Sequence, residues 1–155
     1  DWTGRDYKRW LKMVCYDKLK YATGDSLGLC SFMSGYWPFP PILPAHEARL
    51  ASYATGIDLD ESELMKIGER ITILLRAYNT ILGIRRKDDI LDENWFREPA
   101  LPQEVQIDRS LFEEWLDEYN KLEGCNSDGI PTGEKLDELG LNHVRQELER
   151  RGILP

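Results

Sequence analysis

The sequence is poor in cysteine, in histidine and in positive charge. Its 155 residues include three cysteines and two histidines, and 28 acidic residues against 20 lysines and arginines leave a net charge of −8. So acidic a chain lacks the basic surface that displaces counterions from phosphates, which argues against nucleic acids and anionic membranes as partners. Charges or prolines interrupt each apolar stretch before the ~18 residues of a transmembrane helix.

The three cysteines, Cys15, Cys30 and Cys125, are odd in number and widely separated. This is not a disulfide framework, and it predicts a reducing cytoplasm. Three scattered thiols cannot complete a four-ligand zinc or iron–sulfur site by themselves. We expect Cys15 to pack within a helix and Cys125 to be exposed and without a role. The chain begins at Asp1 without an apolar signal segment, and we expect it to be a fragment of a longer protein.

The sequence is rich in helical periodicity. Its hydrophobic content of 41% is typical of a globular protein. A chain of this length buries roughly 70% of its unfolded surface, which is enough for a core. Apolar residues recur at intervals of three and four, and no segment shows sustained period-two alternation. We therefore predict a mainly α, irregular helical domain that spans residues 1–155.

The first predicted helix covers residues 5–22 and ends at Thr23-Gly24, because glycine adopts the left-handed conformation of a helix stop. Residues 34–46 hold five Gly and Pro residues and are predicted to be irregular. A short helix over 45–54 follows. The apolar face of the first helix is expected to comprise Tyr7, Trp10, Leu11, Val14, Lys18 and Tyr21.

The clearest predicted helix covers residues 61–82. Asp60 and Glu63 have the spacing of a capping box, in which each side chain accepts from a backbone amide of the other residue. Gly83 supplies the stop. One apolar stripe is expected to be its buried face: Leu64, Ile67, Ile71, Leu74, Leu75, Tyr78 and Leu82.

Further capping patterns predict the helices nearer the carboxyl terminus. Ser110 and Glu113 have the spacing of a capping box for a helix over 109–122. Thr132 and Asn142 are expected to cap two shorter helices that follow.

Polar residues outside these caps are assigned structural roles. Arg76 and Asn79 lie one turn apart and are expected to hydrogen-bond a neighbouring loop. The segment Asn126-Ser127-Asp128-Gly129 has the composition of a calcium loop. The two positions that should be acidic are Gly124 and Lys135, so a turn is predicted instead.

The segment that carries chemistry is Asp25-Ser26-Leu27-Gly28-Leu29-Cys30, which is predicted to be a loop. The Asp25 carboxylate can accept hydrogen bonds from the N–H groups of a pterin. Backbone amides near Leu29 and Cys30 can bind anionic or carbonyl oxygens, and a Cys30 thiolate is the usual ligand of iron in a cluster. Gly28 lets the backbone approach a ligand closely. The alternative is a helix-to-loop junction with a buried structural cysteine, which the residues alone favour.

The pattern Asp-x-x-Gly-Leu-Cys after an amphipathic helix resembles the second pterin-binding motif of the tungsten-dependent aldehyde:ferredoxin oxidoreductase family. Further segments resemble that family in the same order, so the resemblance spans roughly residues 7–145. These segments are Ala54-Thr55-Gly56-Ile57-Asp58, Gly68-Glu69-Arg70-Ile71, Arg76-Ala77-Tyr78-Asn79, Leu116-Asp117-Glu118-Tyr119, Gly129-Ile130-Pro131-Thr132 and Lys135-Leu136-Asp137-Glu138-Leu139-Gly140-Leu141.

The resemblance implies the C-terminal helical lobe of a larger multidomain enzyme that oxidises aldehydes to carboxylates and passes electrons to ferredoxin. It implies that Asp25 and Leu29 bind one pterin of a tungsten-bis-pterin cofactor, and that Cys30 is the fourth ligand of a [4Fe–4S] cluster. The family's other pterin motif, its three other cluster cysteines and its catalytic residues have no counterpart here. The isolated chain is therefore expected to be inactive and to lack both cofactors.

The partners implied by the resemblance are ferredoxin and the upstream domains of the same polypeptide, and a homodimer is left open. Asp25 and Cys30 are then expected near the surface, beside an exposed patch that meets the rest of the enzyme. Two alternatives also stay open. One is a tungsten benzoyl-CoA reductase-type subunit, and the other is a non-catalytic helical interaction module.

Overall fold

The computed structural model of the chain describes residues 7–30, 43–97 and 106–155. Within these ranges it is built from seven α-helices and a 3₁₀ helix, with one isolated β-bridge between Cys125 and Pro131, and it contains no strand. This confirms the mainly α prediction. The helices are α1 (Tyr7–Ser26), α2 (Pro44–Thr55), α3 (Glu61–Ile81), α4 (Asn94–Arg97), α5 (Arg109–Leu122), α6 (Gly133–Glu138) and α7 (Asn142–Arg150), with the 3₁₀ helix at Arg86–Asp88.

The long helix α3 is the centre of the fold, since α1, α2 and α7 all pack against it. Its predicted capping box is confirmed. The Glu63 amide donates to Asp60 Oδ1 at 2.8 Å, and the Asp60 amide donates to Glu63 Oε2 at 3.0 Å. The predicted short helix over 45–54 is also present, although it begins at Pro44, because a proline is compatible with the first helical turn. The rest of the predicted irregular segment, residues 34–42, lies outside the described ranges.

The predicted buried stripe of α3 is wrong for most of its length. Leu64 is buried, but four of the predicted positions are 43–63% exposed: Leu74, Leu75, Tyr78 and Leu82. The side that packs against neighbouring helices carries mostly smaller residues: Leu64, Gly68, Ile73, Ala77 and Thr80. The helix is apolar on both sides, and the smaller side chains allow the closer helix contacts.

The predicted face of α1 differs in the same way. Trp10 and Val14 are 44% and 52% exposed, whereas the buried residues lie in the last two turns: Lys20, Thr23 and Gly24. The other half of the predicted face does make contacts. The Tyr7 ring stacks on Trp115 with 6.1 Å between centroids, and Lys18 Nζ donates to Tyr119 Oη at 3.2 Å. Lys18 also pairs with Glu123, so α1 is fixed along α5 by aromatic and charged contacts.

The main hydrophobic core lies between the C-terminal half of α3 and the end of the chain. Ile73 and Ala77 of α3 are 1% and 0% exposed, and they pack on the segment that contains α6 and α7. Ile81, Ile153 and Leu154 cover its edge. The remaining buried members of this cluster are Leu136, Leu139, Leu141, Val144 and Leu148.

Two of the predicted caps are wrong. Asp108, rather than Ser110, caps α5. Its Oδ1 accepts from the Leu111 amide at 2.9 Å, and the Ser110 hydroxyl donates to the same oxygen. Because the Asp108 cap starts the helix at Arg109, Ser110 already lies inside the first turn and is not in a cap position.

At α7 the cap position is Leu141, without a side-chain hydrogen bond. Asn142 is the first residue of the helix, and its Nδ2 donates to Asp137 Oδ1 instead. The predicted Thr132 cap of α6 is confirmed, since its hydroxyl accepts from the Lys135 amide.

The charged turn after α3 is an interlocking structure. Arg86 in the 3₁₀ helix pairs with Glu113 and Asp117 of α5, and the Arg76 guanidinium donates to Asp89 and to the Gly129 carbonyl. The predicted structural role of Arg76 is therefore confirmed.

The segment from 126 to 129 forms the predicted turn, in which Asn126 Oδ1 accepts from the amides of Asp128 and Ile130. Cys125 was expected to be exposed, and this prediction is wrong because Cys125 is buried. The β-bridge to Pro131 folds this turn back over it. No helix in the described ranges is long and apolar enough to cross a membrane.

Candidate cofactor-binding site

The chemistry-bearing segment forms the end of α1 and the turn that stops it. The Leu27 amide donates to the Thr23 carbonyl at 3.0 Å, the Gly28 amide to Asp25 at 3.1 Å and the Leu29 amide to Gly24 at 2.9 Å. With Gly28 at a φ of 68°, this is the Schellman arrangement of a helix C-terminus. The loop predicted for 25–30 is therefore shorter than expected, since Asp25 and Ser26 belong to the last turn of the helix.

The predicted stop at Thr23-Gly24 is wrong because those two residues pack inside the fold. Both are buried, and the Thr23 hydroxyl donates to the Lys20 carbonyl within the helix. Gly28 is the glycine that the stop requires, because an L side chain is strained at its positive φ. No described atom lies within 4 Å of the place where its Cβ would stand. The open space beside Gly28 leaves the backbone accessible.

Asp25 and Cys30 are exposed, and Leu29 is half-buried. This confirms the prediction that Asp25 and Cys30 lie near the surface of the chain, and the alternative of a buried structural cysteine is wrong for Cys30. A single helix stop thus presents a carboxylate and a thiol five residues apart.

The Leu29 amide is not available for a ligand oxygen, which corrects the predicted role of this N–H. It is already the donor that closes the helix on Gly24. The carbonyl oxygen of Leu29 is then its main-chain group for a ligand, and it can accept from an N–H donor. A pterin has such donors on its amino group and its ring.

The position of Asp25 is unfavourable for a carboxylate in the folded helix. Helix C-termini carry partial negative charge, and an acidic residue there is disfavoured by roughly 0.3–1 kcal/mol. No basic residue accompanies Asp25 in the last turn of α1. A residue that opposes a local stability rule is more often kept for binding than for folding.

Asp25, Leu29 and Cys30 can form one side of a binding site for the cofactors that the sequence predicts. Asp25 and Leu29 supply hydrogen-bond acceptors for a pterin, and Cys30 supplies one sulfur ligand for iron. Within the described ranges no group of three or more His, Cys, Asp or Glu residues is placed to hold a metal ion. Each iron atom of a [4Fe–4S] cluster takes one cysteine ligand, so Cys30 can supply one of the four ligands that the cluster needs.

Sequence reasoning missed the buried ion pair behind this helix end. Lys20 Nζ lies 3.0 Å from Glu47 Oε1, and Glu47 is fully buried. The available signal was weak: Glu47 is the one acidic residue in the first turn of α2, between the buried Pro44 and Ala48.

Comparison with known proteins shows which family this chain resembles. Residues 5–141 match the family model for aldehyde ferredoxin oxidoreductase, domains 2 and 3. The tungsten-containing aldehyde ferredoxin oxidoreductase of Pyrococcus furiosus is 35% identical over 134 residues, which is 84% of this chain and 21% of the relative. The protein of the same name from Pyrococcus horikoshii is 34% identical over 137 residues, with the same coverage. The chain thus spans about a fifth of the length of these relatives.

A solved structure has the same fold. The active-site complex of benzoyl coenzyme A reductase with 1,5-dienoyl-CoA contains a chain that superposes with a TM-score of 0.83 and 33% identity, covering 97% of this chain and 22% of that one. Both the sequence matches and this likeness extend across the helix stop at Gly28. By the family model, the relatives and the shared helical fold, this chain belongs to the aldehyde ferredoxin oxidoreductase family.

Proposed function

We propose that this chain is the C-terminal helical lobe of a tungstopterin and iron–sulfur oxidoreductase that oxidises aldehydes to carboxylates. The observation that carries the proposal is the helix stop of α1, where Asp25, Leu29 and Cys30 lie at an accessible turn. They offer the hydrogen-bond acceptors that a pterin requires and the thiol that a cluster requires. The names of its relatives supply the metal and the aldehyde.

Each residue has a distinct role in this proposal. The Asp25 carboxylate accepts hydrogen bonds from the amino and ring N–H groups of one pterin, and the Leu29 carbonyl accepts another. The Cys30 thiolate ligates iron of a [4Fe–4S] cluster. When bound, the tungstopterin supplies the two-electron oxidation of the substrate, and this chain supplies position and electrostatics.

One short turn then contacts two redox groups at once. Four residues separate Asp25 from Cys30, and three of them have amides that close the helix, so the turn has little freedom to separate its contacts. A compact turn keeps the pterin close to the cluster and shortens the electron path between them. The electron acceptor in this proposal is ferredoxin, and the setting is the cytoplasm of an anaerobic organism.

The exposed apolar side of α3 is the second feature of the proposal. Leu74, Leu75, Tyr78 and Leu82 form a continuous helical row that is 43–63% exposed. A row of this kind marks an interaction surface. We assign it to the other domains of the same polypeptide, which carry the other cluster cysteines and the catalytic residues.

The test is metal content in the enzyme that carries this chain, expressed anaerobically. The wild type is expected to contain tungsten and about four iron atoms per polypeptide. Cys30→Ser should lower the iron content and the cluster absorbance while the fold survives. Cys15→Ser is the matched control, because Cys15 lies within α1, before the helix stop, and is half-buried, and it should leave iron unchanged.

Unchanged iron in Cys30→Ser would refute the ligand assignment. Absence of both tungsten and iron from the wild type would favour a non-catalytic helical interaction module. Asp25→Asn is a complementary variant: it keeps the size of the side chain but weakens its acceptor capacity, and it should lower pterin content more than iron content.

A second candidate function has its own support. The likeness to the benzoyl coenzyme A reductase complex favours a reductase that acts on an aromatic acyl-CoA, with the same pterin and cluster contacts in this lobe. Activity assays with the two substrates distinguish these candidate functions. Aldehyde-dependent reduction of a viologen dye supports the first candidate, and oxidation of 1,5-dienoyl-CoA supports the second.

A further inference from the structure

A buried ion pair joins the last turns of α1 to the first turn of α2. Lys20 Nζ lies 3.0 Å from Glu47 Oε1, and the Glu47 side chain is 0% exposed. The Thr23 hydroxyl lies 3.5 Å from the second carboxylate oxygen and donates to the Lys20 carbonyl at 2.9 Å. Lys20 thus donates to one oxygen of the carboxylate and the Thr23 hydroxyl lies beside the other, and both residues belong to α1.

The same stretch of α1 lies against the backbone of α3 at one glycine. A Cβ built on Gly68 would stand 2.8 Å from the Leu19 carbonyl oxygen and 2.9 Å from Thr23 Cγ2. The first of these is a backbone atom, so a side chain at position 68 could be accommodated only if α1 moved. Gly68 and Glu47 therefore restrain neighbouring residues of α1 from two different helices.

These restraints extend directly to the helix stop. The carbonyl of Thr23 accepts from the Leu27 amide at 3.0 Å, and the carbonyl of Gly24 accepts from the Leu29 amide at 2.9 Å. Thr23, which lies against both Glu47 and Gly68, is thus one of the residues on which the turn is built, and Gly24 follows it directly in the chain. Any displacement of Thr23 is passed on to Leu27 and Leu29.

We propose that Lys20, Glu47 and Gly68 are positioning residues that orient the Asp25–Cys30 turn toward the pterin and the cluster. The proposal rests on the proposed function of Asp25, Leu29 and Cys30. Replacing a buried ion pair by apolar residues of similar volume is often neutral for stability, but apolar contacts lack direction. The pair between Lys20 and Glu47 is directional, and this geometry is what an oriented ligand turn requires.

The first experiment measures amide hydrogen exchange in the full chain. Glu47→Leu alone leaves a buried ammonium without its carboxylate and is expected to unfold much of the chain. The informative variant is therefore the double substitution Lys20→Met with Glu47→Leu. It should have a melting temperature within about 3 °C of the wild type. The Leu27 and Leu29 amides should nevertheless exchange about tenfold faster, because local opening becomes easier.

The matched control is the ion pair between Lys135 and Glu69, which also joins two helices, with Nζ and Oε1 2.5 Å apart. Lys135→Met with Glu69→Leu should leave exchange at Leu27 and Leu29 unchanged. Wild-type exchange rates in the Lys20/Glu47 double variant would overturn the proposal, since the pair would then only fill space.

Gly68→Ala provides an independent variant. It should speed exchange at the same two amides, because the added Cβ displaces α1. Gly133→Ala is its control. The atoms nearest to a Cβ there belong to the Arg145 side chain, the closest at 3.3 Å, and that side chain can move. Equal exchange in the two alanine variants would also overturn the proposal.

The second experiment uses the complete enzyme and separates this proposal from the proposed function. In a wild type that binds iron, the double variant should retain iron but show a shifted cluster EPR spectrum and reduction potential. An unchanged spectrum and potential would overturn the positioning role while the ligand role of Cys30 stands. A wild type without iron and tungsten would overturn the proposed function and, with it, the cofactor part of this proposal.

Discussion

Arg76 and Asp89 form a two-point ion pair, with NH1 3.0 Å from Oδ1 and NH2 2.7 Å from Oδ2. The Arg76 Nε donates to the Gly129 carbonyl at 2.6 Å, so one guanidinium connects α3 to two loops. The hydrogen bonds to Asp89 raise the pKa of the guanidinium further, and burial opposes this effect. Only a planar, forked cation can meet all three acceptors together.

The first prediction follows from that geometry. Arg76→Lys keeps the charge but loses the fork, and it should lower the free energy of unfolding by about 2 kcal/mol. Urea unfolding of the chain measures this value. Arg150→Lys is the control, because Arg150 pairs with Glu147 on the surface with 68% of its side chain exposed, and it should leave the free energy of unfolding nearly unchanged. Equal losses would contradict the central role of the fork.

The second prediction concerns the glycine that stops α1. Gly28 has a φ of 68°, and alanine at such an angle costs about 1–2 kcal/mol. Gly28→Ala should therefore destabilise the chain by about 1 kcal/mol, and Gly28→Asn should cost less, because asparagine tolerates the left-handed region. Thermal and urea unfolding would show the ranking. A cost for Asn equal to that for Ala would indicate that the space beside Gly28, and not its backbone angle, is the constraint.

The third prediction is a pH dependence centred on Tyr119. Burial raises the pKa of its phenol from 10 to about 12. Between these two values the unfolded chain has lost a proton that the folded chain retains, so stability falls as the pH rises. The loss attributable to this residue is about 2 kcal/mol. This loss becomes negligible well below pH 10, where the phenol is protonated in both the folded and the unfolded state.

Tyr119→Phe removes this titration. The stability of the variant should fall less steeply than that of the wild type between pH 10 and 12, as measured by urea unfolding at several pH values. Parallel profiles for Tyr119→Phe and the wild type would contradict the burial of the phenol.

The fourth prediction compares two leucines. Leu136 is 0% exposed in the main core, and Leu136→Ala should cost about 3 kcal/mol. Leu75 is 58% exposed, so Leu75→Ala should cost less than about 0.5 kcal/mol in this chain. In the complete enzyme, Leu75→Ala should be more damaging if the exposed row of α3 is covered by other domains. A small effect in both settings would argue against that coverage.

Sequence reasoning located the helices better than it oriented them. Capping signals are local, and the Asp60–Glu63 box and the Thr132 cap were predicted correctly. Which face of a helix is buried depends on what packs against it. The apolar stripe of α3 through Leu75 and Tyr78 was predicted to be buried, but the small residues Gly68 and Ala77 face the neighbouring helices instead.

The site residues Asp25, Leu29 and Cys30 stay a prediction, and the structure tests only their local geometry. Asp25 and Cys30 are exposed as expected. The commitment of the Leu29 amide to Gly24 could not be foreseen, because it depends on which glycine ends the helix. The pair between Lys20 and Glu47 joins residues 27 apart, and no local pattern indicates such a contact.

The different environments of the three cysteines have a practical consequence. Burial raises the pKa of the Cys15 and Cys125 thiols, which lowers the fraction present as reactive thiolate at neutral pH. Cys30 is exposed among the described residues. A maleimide spin label or fluorophore added to the chain would therefore attach mainly at one point, beside the turn that ends α1, and would report the approach of any other molecule to it.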